Sequence, residues 1–260
     1  GVIGGGNSAV DAARTAHRLP GVEKVTIIYR RTVAEMPAYR EEVESALEEG
    51  IEIKYLTAPT KVLLKDGKIV GIECQKMQLG DVDESGRRRP VPIKGSEYSI
   101  ELDTVIRAIS EQPDMTCLGS EHNFKITGWN TFQVDAETYS TSVPGVFAGG
   151  DAIRGPSSVI EAMADGKKVA EIVDRYVKGE KMELTYAVTR PSVYADPVKL
   201  SEEELLLVDR QRPKRLKAGD RQKNFQEVDL GFDKASAIRE AKRCLRCDLE
   251  LLKSEAKEKK

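Results

Sequence analysis

The sequence predicts the α/β class: a parallel β-sheet flanked by helices, followed by a mostly helical, charged tail. Three observations predict it. Strand-like and helix-like stretches alternate through residues 1–110, the pattern of strands joined by crossover helices. A glycine turn, Gly4-Gly5-Gly6, stands directly between the first strand and the first helix. A second turn, Gly149-Gly150-Asp151, precedes a later helix.

Val2-Ile3 ends the first strand. Ser8 to Leu19 follow as a helix, with Ala9, Ala12, Ala13, Ala16 and Leu19 on one face. Val25–Tyr29 reads as a buried strand, Tyr39–Glu49 as a helix stopped by Gly50, and Ile51–Tyr55 as the next strand. In Val62–Ile72 the central Asp66-Gly67 between apolar runs predicts a hairpin, because the tight turn needs positive φ. Gly80 to Gly95, polar with Arg87-Arg88-Arg89 as a solvated turn, reads as a loop, and Ser99–Ile109 as one buried strand. Gly145–Asp151 reads as a short buried strand ending in glycines. Gly155-Pro156-Ser157-Ser158 then opens a helix to about Val177, with the proline near its first position. Ser201 with Glu204 resembles a capping box, and Asp233 caps a last helix from Lys234 to about Leu251.

The 260 residues suffice for one large or two ordinary domains. A formal net charge of -2 from 41 Lys+Arg and 43 Asp+Glu argues against a nucleic-acid partner. No apolar run approaches the roughly 20 residues of a membrane span, and no signal peptide is visible. Four cysteines are too few for a disulfide scaffold, so a reducing, cytoplasmic setting is expected.

Gly4, Gly6 and Ala9 fit the pattern G-x-G-x-x-A in its required strand–turn–helix setting. Gly4 allows the tight turn, Gly6 lets backbone approach a pyrophosphate, and Ala9 lets the helix pack close to the strand. Free N–H groups and the helix dipole then attract phosphates. The second strand ends Tyr29-Arg30-Arg31, without the acid that reads a ribose 2′-hydroxyl. An arginine there suits a 2′-phosphate, so the expected nucleotide is NADP(H) rather than NAD. At the second turn, Asp151 can accept hydrogen bonds from sugar-like hydroxyls, and the following helix start can face an electron-rich ring or a phosphate. Cys244 and Cys247 form a C-x-x-C pair, two ligands where a metal or cluster site normally has four. They read either as a half-site completed by sequence outside this chain or by a partner, or as a structural or inert pair; the string AKRCLRC (241–247) resembles the start of an iron–sulfur motif, which implies a 4Fe–4S cluster.

Five stretches carry a family resemblance: VIGGGNSAVDAARTA (2–16), YRRTVAEMPA (29–38), DTVIRAISEQPD (103–114), TSVPGVFAGGDA (141–152) and GPSSVIEAMADGKKVA (155–170). Together they resemble the small subunit of bacterial glutamate synthase and its relatives, FAD- and NADPH-dependent oxidoreductases with two dinucleotide-binding domains. The resemblance implies a Rossmann-like NADPH-binding domain of the inserted type over residues 1–110. The C-terminal part of an FAD-binding domain would follow over 111–180, and a charged tail ending in the C-x-x-C helix over 181–260. It implies that Gly4, Gly6, Asn7 and Ser8 line the NADPH pyrophosphate and that Arg30 and Arg31 hold the 2′-phosphate. Asp151, after Gly150, would bond the FAD ribityl chain, and the helix starting near Ser157-Ser158 would approach the isoalloxazine. Ser110 stands where the family motif usually has glycine. The family's first FAD strand and its N-terminal iron–sulfur region have no counterpart here, so this chain is expected to be a C-terminal part of a longer protein.

The expected activity is hydride transfer from NADPH to FAD, with electrons passed on to iron–sulfur centres. That chemistry belongs to the cofactors, so no catalytic side chain is nominated. The expected partner is a redox subunit, or an N-terminal remainder carrying the rest of the FAD domain and the clusters. Three alternatives stand beside it: the electron-input subunit of another anaerobic Fe–S oxidoreductase, a non-catalytic nucleotide-binding or interaction fragment, and a dithiol reductase using Cys244 and Cys247.

Overall fold

The computed structural model describes residues 1–83, 86–109, 111–119, 122–185, 199–206, 209–222 and 224–244. They fall into two compact units, Gly1–Ile109 with Val193–Lys260, and Ser110–Ser192.

The first unit opens with β1 (Val2–Ile3), α1 (Asn7–Arg18), β2 (Thr26–Ile28), α2 (Arg40–Glu48) and β3 (Glu52–Lys54). β4 (Thr57–Lys65), β5 (Lys68–Val82), β6 (Arg88–Glu101) and β7 (Ile106–Arg107) complete its first part. β3, β2, β1 and β7 lie side by side in that order, all parallel, with Val2 opposite Ile27 on one flank and Ile106 on the other. Val2 and Ile27 pack against Ala9, Val10 and Ala13 of α1 and Val43 and Ala46 of α2. The alanines bring α1 close to the sheet. Leu19, expected on the buried face, lies beyond the end of α1 and is 48% exposed.

β4, β5 and β6 form an antiparallel sheet. Ile72 and Cys74 of β5 pack on Ile28, sealing the other face of the parallel sheet. Asp66 and Gly67 take φ of 53° and 75°, the conformation their hairpin turn requires. Three expectations are corrected here. The described residues of 80–95 are not one loop: β5 runs on to Val82, β6 begins at Arg88, and Leu79 pairs with Pro90. This stretch of ribbon is largely open to solvent, so polar residues cost it little and no apolar alternation marks it. Arg88 likewise lies in a strand, donating to the Leu79 and Gly80 carbonyls, rather than in a solvated turn. Nor is 99–109 a single strand; β6 and β7 belong to different sheets.

In the second unit Gly145–Asp151 forms no strand. Phe147 makes only an isolated bridge to Ser140. α3 (Asp151–Arg154) and α4 (Val159–Lys178) follow. Pro156 lies before the cap of α4, Ser158, not at its first position.

The tail residues belong to the first unit: α5 (Glu202–Leu206), β8 (Lys214–Arg215), α6 (Ala218–Arg221), β9 (Asp229–Gly231) and α7 (Lys234–Lys242). Ser201 and Glu204 exchange the bonds of a capping box, and Asp233 caps α7 by accepting from the Ser236 amide. The expected helix to Leu251 is corrected: α7 ends at Lys242 with Arg243 as its C-cap, and Cys244 stands beyond it; residues 245–251 lie outside the described residues, as does Ser110. Glu49, fully buried, anchors the tail. Arg14 reaches it at 2.7 Å, Arg18 at 3.0 Å and Arg221 at 3.7 Å, and Gln222 Nε2 donates to its backbone carbonyl. A buried carboxylate is tolerable only when so surrounded. No helix among the described residues is long and apolar enough to cross a membrane.

Candidate functional site

The first glycine turn is dictated by what surrounds it. Gly4 has φ +146°, and a Cβ there would lie 2.1 Å from the Ala108 carbonyl oxygen. That carbonyl is held close because the Ala108 amide donates to Ile3 O, continuing the β1–β7 pairing. A Cβ on Gly5 would strike the Tyr29 ring at 2.4 Å. Gly6 differs: the nearest atom to its missing side chain is Pro37 Cγ at 3.9 Å, so its face is open. Gly6 is also the cap of α1, with no side-chain cap and no acid in the first turn. Open space and uncapped first-turn amides are what a pyrophosphate needs, and Gly4, Gly6, Asn7, Ser8 and Ala9 therefore fit a bound dinucleotide.

Residues 29–39 fold beside this turn. The Tyr29 hydroxyl donates to Glu35 O at 2.6 Å, and Thr32 and Glu35 form a capping box. The Thr32 hydroxyl bond holds the Glu35 carboxyl below the usual range. The Ala38 amide donates to Gly5 O at 3.2 Å and the Tyr39 amide to Asn7 Oδ1 at 2.9 Å. Asn7 thus ties the loop to the start of α1. Arg30 is exposed and forms no ion pair among the described residues. Arg31 is 4% exposed, with Nε donating to Arg88 O at 2.8 Å and Nη2 to Asp83 Oδ2 at 2.7 Å.

In the second unit, Gly149 sits where a Cβ would meet Val169 at 3.1 Å and Asp165 Cβ at 3.2 Å, and Gly150 has φ +64°. Asp165, 1% exposed, organises the turn. It accepts from the Gly150 amide at 3.1 Å, from Arg154 Nε and Nη2 at 2.8 Å each, and from the Tyr139 hydroxyl at 3.0 Å. Chiefly through the Arg154 bonds, and against its burial, its carboxyl is lowered to about 2. Sequence reasoning missed Asp165, Arg154 and Tyr139. The available signal was an acid at a core position of α4, seven residues before buried Ile172.

Asp151 is exposed, and its Oδ1 accepts from the Ser157 amide and hydroxyl at 3.3 Å each. An exposed carboxylate beside a glycine turn suits a sugar hydroxyl, and so fits this part of an FAD cradle. Ser158 caps α4, accepting from the Glu161 amide while its own amide donates to Glu161 Oε2, so a capping box fixes this helix start.

Cys244 is exposed and Cys247 lies outside the described residues. Among the described residues no group of three or more His, Cys, Asp or Glu is placed to hold a metal. Cys74 is buried, and burial pushes its thiol up to about 11.

Residues 1–166 match the family model described as pyridine nucleotide-disulphide oxidoreductase. The chain is 40% identical over 255 residues to the NADP(+)-dependent formate dehydrogenase subunit beta of Moorella thermoacetica, covering 95% of this chain and 35% of that one. It is 39% identical over 180 residues to the glutamate synthase [NADPH] small chain of Azospirillum brasilense, covering 69% and 37%. The chain thus spans little more than a third of the length of these relatives. Among solved structures, T. acidophilum thioredoxin reductase superposes with a TM-score of 0.54 at 25% identity, covering 68% of this chain and 51% of that one.

Proposed function

The chain belongs to the pyridine nucleotide-disulphide oxidoreductase family, and from that premise we propose that it is the nucleotide-binding part of an NADPH-dependent, FAD-containing oxidoreductase. One observation carries the reading: an uncapped helix start behind an open Gly6, with the exposed Arg30 just past the end of β2. The chemistry the two cofactors supply when bound is hydride transfer from nicotinamide to flavin, with single electrons released onward to iron–sulfur centres. The chain's own residues bind and orient. Gly4 and Gly6 admit the pyrophosphate, the first-turn amides of Asn7 and Ser8 donate to it, and Arg30 pairs with the 2′-phosphate. In the second unit Asp151, presented by the turn that Asp165 holds, accepts from the FAD ribityl chain.

The electrons go to a redox partner subunit, or to an N-terminal remainder carrying the rest of the FAD domain and the clusters, in a cytoplasmic enzyme. Cys244 and Cys247 are a half-site for a 4Fe–4S cluster completed outside this chain. A second reading has its own support. The alignment with the formate dehydrogenase subunit covers 95% of the chain and so takes in most of the tail, whereas that with the glutamate synthase small chain covers 69%. The tail therefore favours the electron-input subunit of another anaerobic Fe–S oxidoreductase over a glutamate synthase.

Calorimetric titration with NADPH and with NADH, each with and without FAD, tests the proposal. Tighter binding of NADPH is expected. Equal affinities, or no binding, would sink the cofactor assignment. NADPH binding with no flavin uptake, even in the presence of the partner subunit, would mark a non-catalytic nucleotide-binding fragment.

A further inference from the structure

Arg30 and Arg31 are adjacent in sequence but stand in different surroundings, and the difference divides their roles. Resting on the NADP(H) reading above, we propose that Arg31 is a positioning residue rather than a phosphate ligand. It pins the nucleotide-reading loop to the β5–β6 hairpin and leaves discrimination between NADPH and NADH to Arg30.

Arg31 is held by both its backbone and its side chain. Its carbonyl accepts from the Leu56 amide at 3.0 Å. Its guanidinium binds the Arg88 carbonyl and the Asp83 carboxylate, and its side chain is nearly sealed from water. Asp83 also closes the turn of the hairpin, donating from its amide to Arg87 O at 2.7 Å and accepting from the Arg87 amide at 3.3 Å. Swinging Arg31 towards a phosphate would break two bonds, one of them charge-assisted, and strip a largely buried carboxylate of this cation.

The loop is thereby bracketed. Arg31 fixes one end to the hairpin, the Thr32–Glu35 capping box shapes the middle, and Ala38 and Tyr39 fix the other end to Gly5 and Asn7. Arg30, exposed and without an ion pair among the described residues, reaches a ligand without breaking one. NADPH and NADH share the adenosine and the pyrophosphate and differ only in the 2′-phosphate. A residue touching that phosphate changes the ratio of the two affinities. A residue that only positions the loop changes both together.

The test titrates wild type, Arg30→Ala, Arg31→Ala, Arg31→Lys and Asp83→Asn with both nucleotides. It also measures hydrogen exchange at the Ala38 and Tyr39 amides without nucleotide. Arg30→Ala is expected to lower the NADPH:NADH affinity ratio about tenfold or more, roughly 1.4 kcal/mol, and to leave the exchange unchanged. Arg31→Ala and Asp83→Asn are expected to weaken both nucleotides alike, keep the ratio within about threefold, and speed the exchange. Arg31→Lys, which can still pair with Asp83, recovers part of both losses. Should Arg31→Ala fail to fold, Arg31→Lys and Asp83→Asn carry the test. A ratio that collapses in Arg31→Ala as it does in Arg30→Ala overturns the proposal, and so does unchanged exchange in Arg31→Ala and Asp83→Asn. A wild type that binds both nucleotides equally overturns the underlying cofactor reading instead, and the exchange rates alone then decide the positioning role.

Discussion

Arg18 and Arg221 meet across 203 residues of sequence: Arg18 Nε donates to the Arg221 carbonyl at 2.9 Å, and both guanidinium groups converge on Glu49. Arg18 stands on α1, the helix whose opposite end faces the candidate nucleotide site. The tail is therefore fastened to residues 1–109 by buried charge rather than by apolar packing alone.

Glu49→Gln removes the anion that Arg14, Arg18 and Arg221 share. Breaking one side of a buried pair costs about 3–5 kcal/mol, and a loss of that order is expected in urea unfolding. Arg221→Ala is expected to cost less and to speed proteolysis within 209–222 while residues 1–109 stay resistant. Wild-type stability in Glu49→Gln would contradict the burial seen here.

Gly4→Ala and Gly6→Ala separate folding from binding. The first places a methyl 2.1 Å from a backbone oxygen at a strained φ, costing at least about 1–3 kcal/mol and abolishing nucleotide binding with the fold of the turn. The second has room in the folded chain and an ordinary φ of -88°. Its melting temperature should move little, while NADPH affinity falls about tenfold or more through lost backbone approach. Unimpaired binding in Gly6→Ala would show that no phosphate passes there.

Acid should act on the second unit through Asp165. Its carboxyl is lowered to about 2 when folded, so its stabilisation is fully present above the unfolded value near 4 and is lost as pH falls through about 2. The effect is at most about 2 kcal/mol, less the screening at Arg154, whose side chain is 44% exposed. Asp165→Asn should flatten the stability curve between about pH 4 and pH 2. A curve parallel to wild type there would remove Asp165 from the account.

Thiol labelling should rank the cysteines. Cys74, buried with its thiol raised to about 11, is expected to react only when the chain unfolds, whereas exposed Cys117 and Cys244 react in the native state at pH 8. Rapid native labelling of Cys74 would mean that β5 opens readily.

What could be read from the sequence was local. Gly4, Gly6 and Ala9 form a spacing that a strand–turn–helix unit needs, legible even though the clash that forbids a side chain at Gly4 is with distant Ala108, and Asp66-Gly67 carries its own turn. Residues 80–95 hid a paired ribbon because a strand with both faces in water needs no apolar alternation. The difference between Arg30 and Arg31 depends on Asp83, 52 residues away, and Asp165 draws partners from Tyr139 to Arg154. Such distant pairings leave no periodic trace in a single sequence.

The grouping of residues 1–109 with 193–260 makes the first unit a discontinuous host and residues 110–192 its guest. The two host pieces are joined in sequence only through the guest. In space they are also joined by Arg18, Arg221, Gln222 and Glu49. A single backbone cut anywhere in the guest would leave two polypeptides that still travel together as one particle. They would come apart only when those buried charges are exposed to water.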